Sequence, residues 1–356
     1  MARNGARQGT AKQSAAFAAM EAKSVESLPE GPEWQYEPKW DGFRCILIRD
    51  GDVVELHSKS GESLTRYFPE LIESARALKV RRYAIDGEIV IPSGRSFSFD
   101  NLLQRIHPAQ GRVQKLSLVT PARFIAFDIL SLNTVVIATQ LLCDRRAALE
   151  RFAGHFEASG RFDLSVATPS IKAARVWLEN AGGGFDGVIA KRVDLPYQSG
   201  NREGMQKIKR LRSADCVIGG FRYAERALSG RRVVGSLLLG LYDTDGRLNH
   251  VGFSSAIKSA EKPALTDKLA ALHTAKSFTG NAPGGPSRWS TKRSSEWLPV
   301  KTKLVIEVSY DHFTGGRFRH GTSILRWRPD KKPAQCTMEQ LRQKTLDVRS
   351  LLKRKG

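Results

Sequence analysis

Lys39-Trp40-Asp41-Gly42-Phe43-Arg44 sets a lysine two residues before an Asp-Gly pair and five before an arginine. That spacing suits a lysine nucleophile directed at a phosphoanhydride. A lysine amine at its ordinary pKa is protonated near neutrality, so it attacks phosphorus only where neighbouring cations or burial favour the free amine. Arg44 supplies a fixed positive charge close by, Asp41 is placed to orient the amine, and Gly42 lets backbone approach a ligand closely. An isolated Asp-Gly pair is more often a solvated turn, so the hexapeptide takes its meaning from what accompanies it.

Five further segments accompany it. Asp86-Gly87-Glu88-Ile89-Val90 puts an acidic side chain at the end of a strand, and Phe127-Asp128-Ile129-Leu130 ends a strand with an aromatic. Asp186-Gly187-Val188-Ile189-Ala190-Lys191-Arg192 repeats the acid-glycine-strand design with a trailing lysine. In Lys207-Ile208-Lys209 the two lysines share one side of an extended chain, because alternate residues face the same way. Arg326-Trp327-Arg328-Pro329-Asp330-Lys331 gathers four charged groups near the C-terminus. Singly, each has an ordinary explanation in turns, core packing or a basic sheet edge.

The elements that must position these residues are short. Cys45–Arg49 and Val53–Ser58 read as strands joined at Asp50-Gly51, which puts Lys39 at the mouth of a hairpin. Helices are expected at 68–78, with Pro69 in the first turn, and at 99–106, 143–152 and 173–180; strands at 83–91, 123–129 and 187–191. Intermixed strands and helices predict an α+β fold with mostly antiparallel sheets. From Ala214 onward short glycine-bearing strands and a helix over 262–273 fit a small barrel of the OB type. Arg210 to Ser213 is the expected linker, residues 279–295 an expected loop, and 338–352 an expected C-terminal helix. The implied domains are a flexible basic arm over 1–22, a chemistry domain over 23–212, and the barrel with its helix over 213–356.

Charge supports that division. The 356 residues carry a net +21; residues 202–356 hold 31 Lys and Arg against 13 Asp and Glu, leaving 26 against 23 for residues 1–201. A nearly neutral half joined to a strongly basic one suggests a small-molecule domain attached to one that grips a polyanion. Cys45, Cys143, Cys216 and Cys336 lie far apart, without zinc or disulfide spacing, which fits reduced thiols in a cytoplasmic protein. No stretch has the length of a membrane span, and the N-terminal segment lacks an apolar secretory core.

Taken together and in order, the six segments resemble the ATP-dependent DNA ligases of the covalent nucleotidyltransferase superfamily, above all the bacterial stand-alone ligase C group and the ligase module of ligase D. The resemblance runs from about Met20 to Leu341. It implies a nucleotidyltransferase (adenylation) domain followed by an OB-fold domain, with ATP and Mg²⁺ or Mn²⁺ as cofactors. Lys39 would attack the α-phosphorus of ATP, with Arg44, Lys207 and Lys209 also in the catalytic set. Arg44 would contact ribose or phosphate and Glu37 would lie beside the adenine. Phe127 would stack on the purine, and Lys191, Lys207 and Lys209 would neutralise phosphate. Glu88 and Asp186 would serve the ribose and a divalent metal, since a hard cation takes carboxylates alongside phosphate oxygens and waters. Lys59 and Arg202 match further basic positions of the nucleotide site. Arg326, Arg328, Asp330 and Lys331 would orient pyrophosphate from a second domain that swings on a joint near 212–215.

Three positions depart from the family pattern. Asp186 stands where glutamate is usual, Lys59 where arginine is usual, and Met205 where a tryptophan commonly precedes the paired lysines. Lysine keeps the charge but loses the planar fork of arginine. The implied partner is nicked duplex DNA, gripped in a salt-dependent way, with separate repair polymerase or end-binding proteins. The implied enzyme is a monomer used at the bacterial nucleoid. The alternatives are an RNA ligase or capping-type nucleotidyltransferase, and a non-catalytic nucleic-acid-binding protein.

Overall fold

A computed structural model describes residues 17–284, 296–342 and 346–353. The chain forms two compact units, one of Met1–Arg210 with Lys344–Gly356 and one of Leu211–Gln343.

Two sheets build the first unit. The smaller has the order β1-β9-β8-β2, from strands β1 (Lys23–Ser24), β2 (Trp34–Trp40), β8 (Phe185–Arg192) and β9 (Met205–Lys209). Alternation gives it two unlike faces. Trp34, Tyr36, Val188, Ala190 and Ile208 form a buried cluster with Ala174 of helix α5 (Ile171–Glu179). Glu37, Lys39, Lys191, Lys207 and Lys209 occupy the alternate positions.

The larger sheet runs β15-β7-β6-β5-β3-β4. Its strands are β3 (Phe43–Asp50), β4 (Val53–Ser58), β5 (Arg82–Val90), β6 (Arg123–Leu132), β7 (Phe162–Ser165) and β15 (Leu352–Lys353). Both faces of its centre are covered, which is why β3 reads as a nearly continuous apolar run. Cys45, Leu47, Ile85 and Ile89 pack with helices α1 (Pro69–Ala77), α2 (Phe99–Arg105) and α4 (Leu142–Phe152), and α3 (Gln110–Val119) lies against α1. On the opposite face Ile46, Ile48, Ala84 and Leu130 pack with Met20, Tyr197 and Met205. Helix α3 was absent from the sequence reading; Val113 and Ser117 are its buried residues, too few to mark a helical period.

The second unit is a curled antiparallel sheet of order β12-β11-β10-β13-β14. Its strands are β10 (Arg212–Tyr223), β11 (Val234–Tyr242), β12 (Leu248–Ser254), β13 (Val305–Tyr310) and β14 (Ser323–Trp327), with helix α6 (Lys262–Ala271). The outer strands meet at a single parallel bridge, Ser254 to Thr322, rather than along a full ladder. Val217, Leu237, Leu239, Val251, Leu269 and Val308 lie in its core.

Four expectations are corrected. No helix spans 338–352: described residues there form 3-10 turns at Met338–Leu341 and Val348–Leu351, then β15. That last strand pairs with β7 in the first unit, so the C-terminus does not belong with the barrel. A neighbouring strand edge offers a better partner for Leu352 than a marginal isolated helix. The joint expected at 212–215 is the start of β10, laddered to β13 from Arg212 opposite Tyr310. The arm expected over 1–22 lies outside the described residues up to 16, but from Phe17 onward it is packed, with Ala19 and Met20 buried. Within the expected loop at 279–295, residues 279–284 carry no helix or strand and 285–295 lie outside the described residues. Among the described residues no helix is long and apolar enough to cross a membrane.

Candidate active site

Register on the smaller sheet brings the lysines together. Gly187 stands opposite both Lys39 and Lys209, and Ile189 opposite both Glu37 and Lys207. A Cβ at Gly187 would collide with the Ile208 carbonyl, so glycine is what lets β8 lie between its neighbours. Asp186 is the extra residue of a bulge between the pairs Phe185–Trp40 and Gly187–Lys39. Bulges re-aim side chains, and here the carboxylate meets Lys39 Nζ at 2.7 Å and Lys209 Nζ at 3.2 Å. Glu37 and Lys191, both buried, form a 2.8 Å ion pair. Lys207 has its pKa lowered, first by burial and then by Lys39, Lys59, Lys209 and Arg202.

The larger sheet supplies the rest. Arg44 pairs in register with Glu88 across β3 and β5. Its guanidinium is gripped by Asp86 through two 2.6 Å bonds, and Tyr197 Oη donates to the same carboxylate at 2.6 Å. Burial alone would lower the Arg44 pKa; the charge and hydrogen bonds of Asp86 more than reverse this. Glu88 accepts the Gly42 N–H at 3.1 Å. Burial pushes its pKa up to about 8 against the opposing pull of Arg44 and Lys39. Gly42 makes that contact possible, because a Cβ there would strike the Ile89 carbonyl.

Phe127 is the extra residue of a bulge in β6, opposite the Asp86–Gly87 step. Arg44 Cζ lies 4.4 Å and Lys191 Nζ 4.8 Å from its ring centroid, where a ring quadrupole attracts cations. The adjacent Asp128 anchors this bulge through two 2.9 Å bonds from Arg145 of α4. At the rim Glu21 pairs with Lys59 and with Arg202, each at 2.8 Å.

These groups line one cavity of about 230 Å³ that includes Met20, Glu21, Glu37, Lys39, Arg44, Lys59, Glu88, Phe127, Lys191, Met205 and Lys207. The structure thus brings together the expected residues of the first unit, with Lys209 and Asp186 joined to Lys39 and Arg202 joined to Glu21. Arg326, Arg328, Asp330 and Lys331 form a separate cluster in the second unit. Arg326 bonds Glu307 at 2.6 Å, and Arg328 bonds Asp330 at 2.8 Å and Asp215 at 2.8 Å. Lys331 bonds Asp215 at 2.6 Å.

Sequence reasoning passed over Met20, Glu21, Asp86, Tyr197, Asp215 and Glu307. Asp86 had a signal, since it shares a strand face with Glu88; the others meet their partners only through the fold. Among the described residues no group of three or more His, Cys, Asp or Glu side chains forms a preformed metal cage. Glu88 and Asp186 are the carboxylates of this site suited to a hard cation that keeps waters and phosphate oxygens as its other ligands.

The arrangement is a cation-lined cleft around a lysine. Residues 16–209 match the ATP dependent DNA ligase domain and residues 230–331 the ATP dependent DNA ligase C terminal region. The chain belongs to the ATP-dependent DNA ligases. It is 43% identical over 337 residues to DNA ligase C2 of Mycolicibacterium smegmatis, covering 90% of this chain and 93% of that one. Against DNA ligase C of Mycobacterium tuberculosis the identity is 42%, over 90% and 92%. A solved Lig E DNA ligase structure has a similar fold, with TM-score 0.51 and 18% identity over 87% of this chain and 99% of that one. The protein is therefore an enzyme that uses ATP and acts on nucleic acid.

Proposed function

We propose that the enzyme seals nicks between a 3′-hydroxyl and a 5′-phosphate in duplex DNA, with Lys39 as the nucleophile. The observation that carries this is the placement of Lys39 in one cavity with Arg44, Lys59, Lys191 and Lys207, its amine held 2.7 Å from Asp186. In the first step the neutral Nζ forms a P–N bond to the α-phosphorus of ATP, the bond to the bridging oxygen breaks, pyrophosphate leaves, and the nitrogen gives up one proton to solvent. In the second an oxygen of the nick's 5′-phosphate attacks the same phosphorus, the P–N bond breaks and the amine regains its proton. In the third the 3′-hydroxyl oxygen attacks the activated 5′-phosphate and AMP leaves.

The protein's part is positioning and charge stabilisation. Asp186 orients Lys39 and must release it for attack. Arg44, fixed by Asp86 and Tyr197, contacts ribose or phosphate. Glu37 is assigned to the adenine and Phe127 to the purine face, with Lys191, Lys207 and Lys209 to the phosphates. Arg326, Arg328, Asp330 and Lys331 are assigned to pyrophosphate. Glu88 and Asp186 would hold Mg²⁺ or Mn²⁺, which supplies neutralisation of phosphate charge when bound. The enzyme works as a cytoplasmic monomer in DNA repair, on ends prepared by separate proteins.

Incubation with ATP, a divalent cation and a nicked duplex carrying a labelled 5′-phosphate tests this reading. A sealed DNA strand is expected with ATP. Sealing confined to nicked RNA, or adduct formation from GTP alone, would replace it with the RNA ligase or capping reading.

A further inference from the structure

The segment before β2 is fixed at the mouth of the nucleotide cavity. Ala18 N–H bonds Ser199 Oγ at 2.7 Å, Met20 N–H bonds Tyr197 Oη at 2.8 Å, and Glu21 N–H bonds the Asn201 carbonyl at 2.7 Å. Beyond it Lys23 and Ser24 pair with Gln206 and Lys207. Glu21 has little freedom to be elsewhere. One carboxylate oxygen meets Lys59 Nζ and the other Arg202 Nε, each at 2.8 Å. Glu21 and Lys59 line the cavity together with Lys207, Arg202 flanks Glu21, and the Lys59 and Arg202 side chains are 57% and 68% exposed.

Unlike Glu37, Glu88 and Asp186, Glu21 has no assigned part toward the nucleotide or a metal, and it faces cations at the entrance. It is strongly held as an anion, with its pKa lowered to about 2 by the hydrogen bonds and charges of Lys59 and Arg202. Tethering the chain against Tyr197, Ser199 and Asn201 does not require it, since those contacts use backbone atoms of the segment. What the side chain does is occupy two cations at the entrance.

We infer that Glu21 is an internal stand-in for a substrate phosphate: it holds Lys59 and Arg202 as a two-cation anion site and is displaced when a terminal phosphate enters. This rests on the ligase reading, which provides two sources of that phosphate, the tail of ATP and the 5′-phosphate of the nick. Ion pairs this exposed are weak and salt-screened, so displacement is cheap and the carboxylate acts as a competitor rather than a lock. It keeps the two cations spaced and partly charge-compensated between turnovers and weakens retention of any phosphate bound there.

The test compares wild type, Glu21→Gln, Lys59→Gln and the double variant. Equilibrium binding of ATP is measured with divalent cations chelated, so that no chemistry occurs. Binding of nicked duplexes ending in 5′-phosphate or 5′-hydroxyl is measured in parallel. Glu21→Gln is expected to tighten binding of ATP, or of the 5′-phosphate nick alone, about fivefold. Which arm responds identifies the source of the phosphate. That gain is expected to shrink when Lys59 is also Gln, because only Arg202 is then released, and to shrink in high salt. If Glu21→Gln weakens both ligands or changes neither, Glu21 is only a tether; a gain that persists undiminished without Lys59 also overturns the inference. Failure of the ligase reading would show separately, as absence of a wild-type covalent adduct when the cation is restored.

Discussion

Two aspartates each hold two cations, and they do so in different units to different ends. Asp186 bridges Lys39 and Lys209 at 2.7 and 3.2 Å; Asp215 bridges Arg328 and Lys331 at 2.8 and 2.6 Å. Asp186 sits in a bulge and Asp215 in regular ladder, in register with Glu307 of β13, which itself bonds Arg326. The first pair of cations is two lysines, whose amines are able to shed a proton and form a bond. The second contains an arginine, which stays charged and presents a fixed fork. On the proposed assignment, the acid on a lysine in a bulge sets up a reacting atom, whereas the acid on an arginine in a ladder sets up a shape.

If that contrast is right, neutralising the two aspartates has unequal consequences. Asp186→Asn leaves Lys39 and Lys209 without their common counterion and is expected to lower the rate of covalent adduct formation about a thousandfold, measured in single-turnover labelling. Asp86→Asn removes the negative charge and one of the two acceptor oxygens that grip Arg44, leaving the guanidinium beside Phe127 without its paired carboxylate. A loss of about 3 kcal/mol in urea unfolding is expected, with weaker ATP binding.

Glu88 gives a shallower, pH-dependent effect. Its folded pKa of about 8 lies above the ordinary 4.5, so its protonated form favours the fold. Its contribution to stability is complete below pH 4.5 and declines as pH rises through 8. Glu88→Gln should flatten that decline in a series of melting curves; an unchanged slope would show that burial does not govern this carboxyl. Asp215→Asn is expected to have the smallest effect, about fivefold on adduct formation, because Arg328 keeps Asp330. Equal losses in Asp186→Asn and Asp215→Asn would erase the distinction between the two aspartates.

Much of the first unit was legible because strand alternation is a local property. The run Glu37 to Lys39 and the run Lys207 to Lys209 predict their own shared faces, and β3 announces its burial by being apolar throughout. Bulges are not legible in the same way. Asp186 and Phe127 reach the cavity because one extra residue in β8 or β6 turns them, and nothing in either segment marks where a ladder will slip. Partners distant in sequence were likewise hidden: Tyr197 and Asp86 are 111 residues apart, and Asp215 and Lys331 are 116. The C-terminal residues misled by composition, since Val348, Leu351 and Leu352 look like a helical stripe but pack in a cluster with Trp40 and Phe127. That cluster ties the end of the chain to the support of the purine face assigned here.

Incubation of wild type and Lys39→Arg with ATP labelled at the α-phosphate, followed by denaturation, tests the central claim most directly. The arginine keeps the charge but cannot serve as the amine nucleophile. Label should remain on the wild-type chain, be lost in acid as a P–N bond is, and be absent from Lys39→Arg. Label that survives the substitution, or that maps to another residue, would contradict the assignment of Lys39.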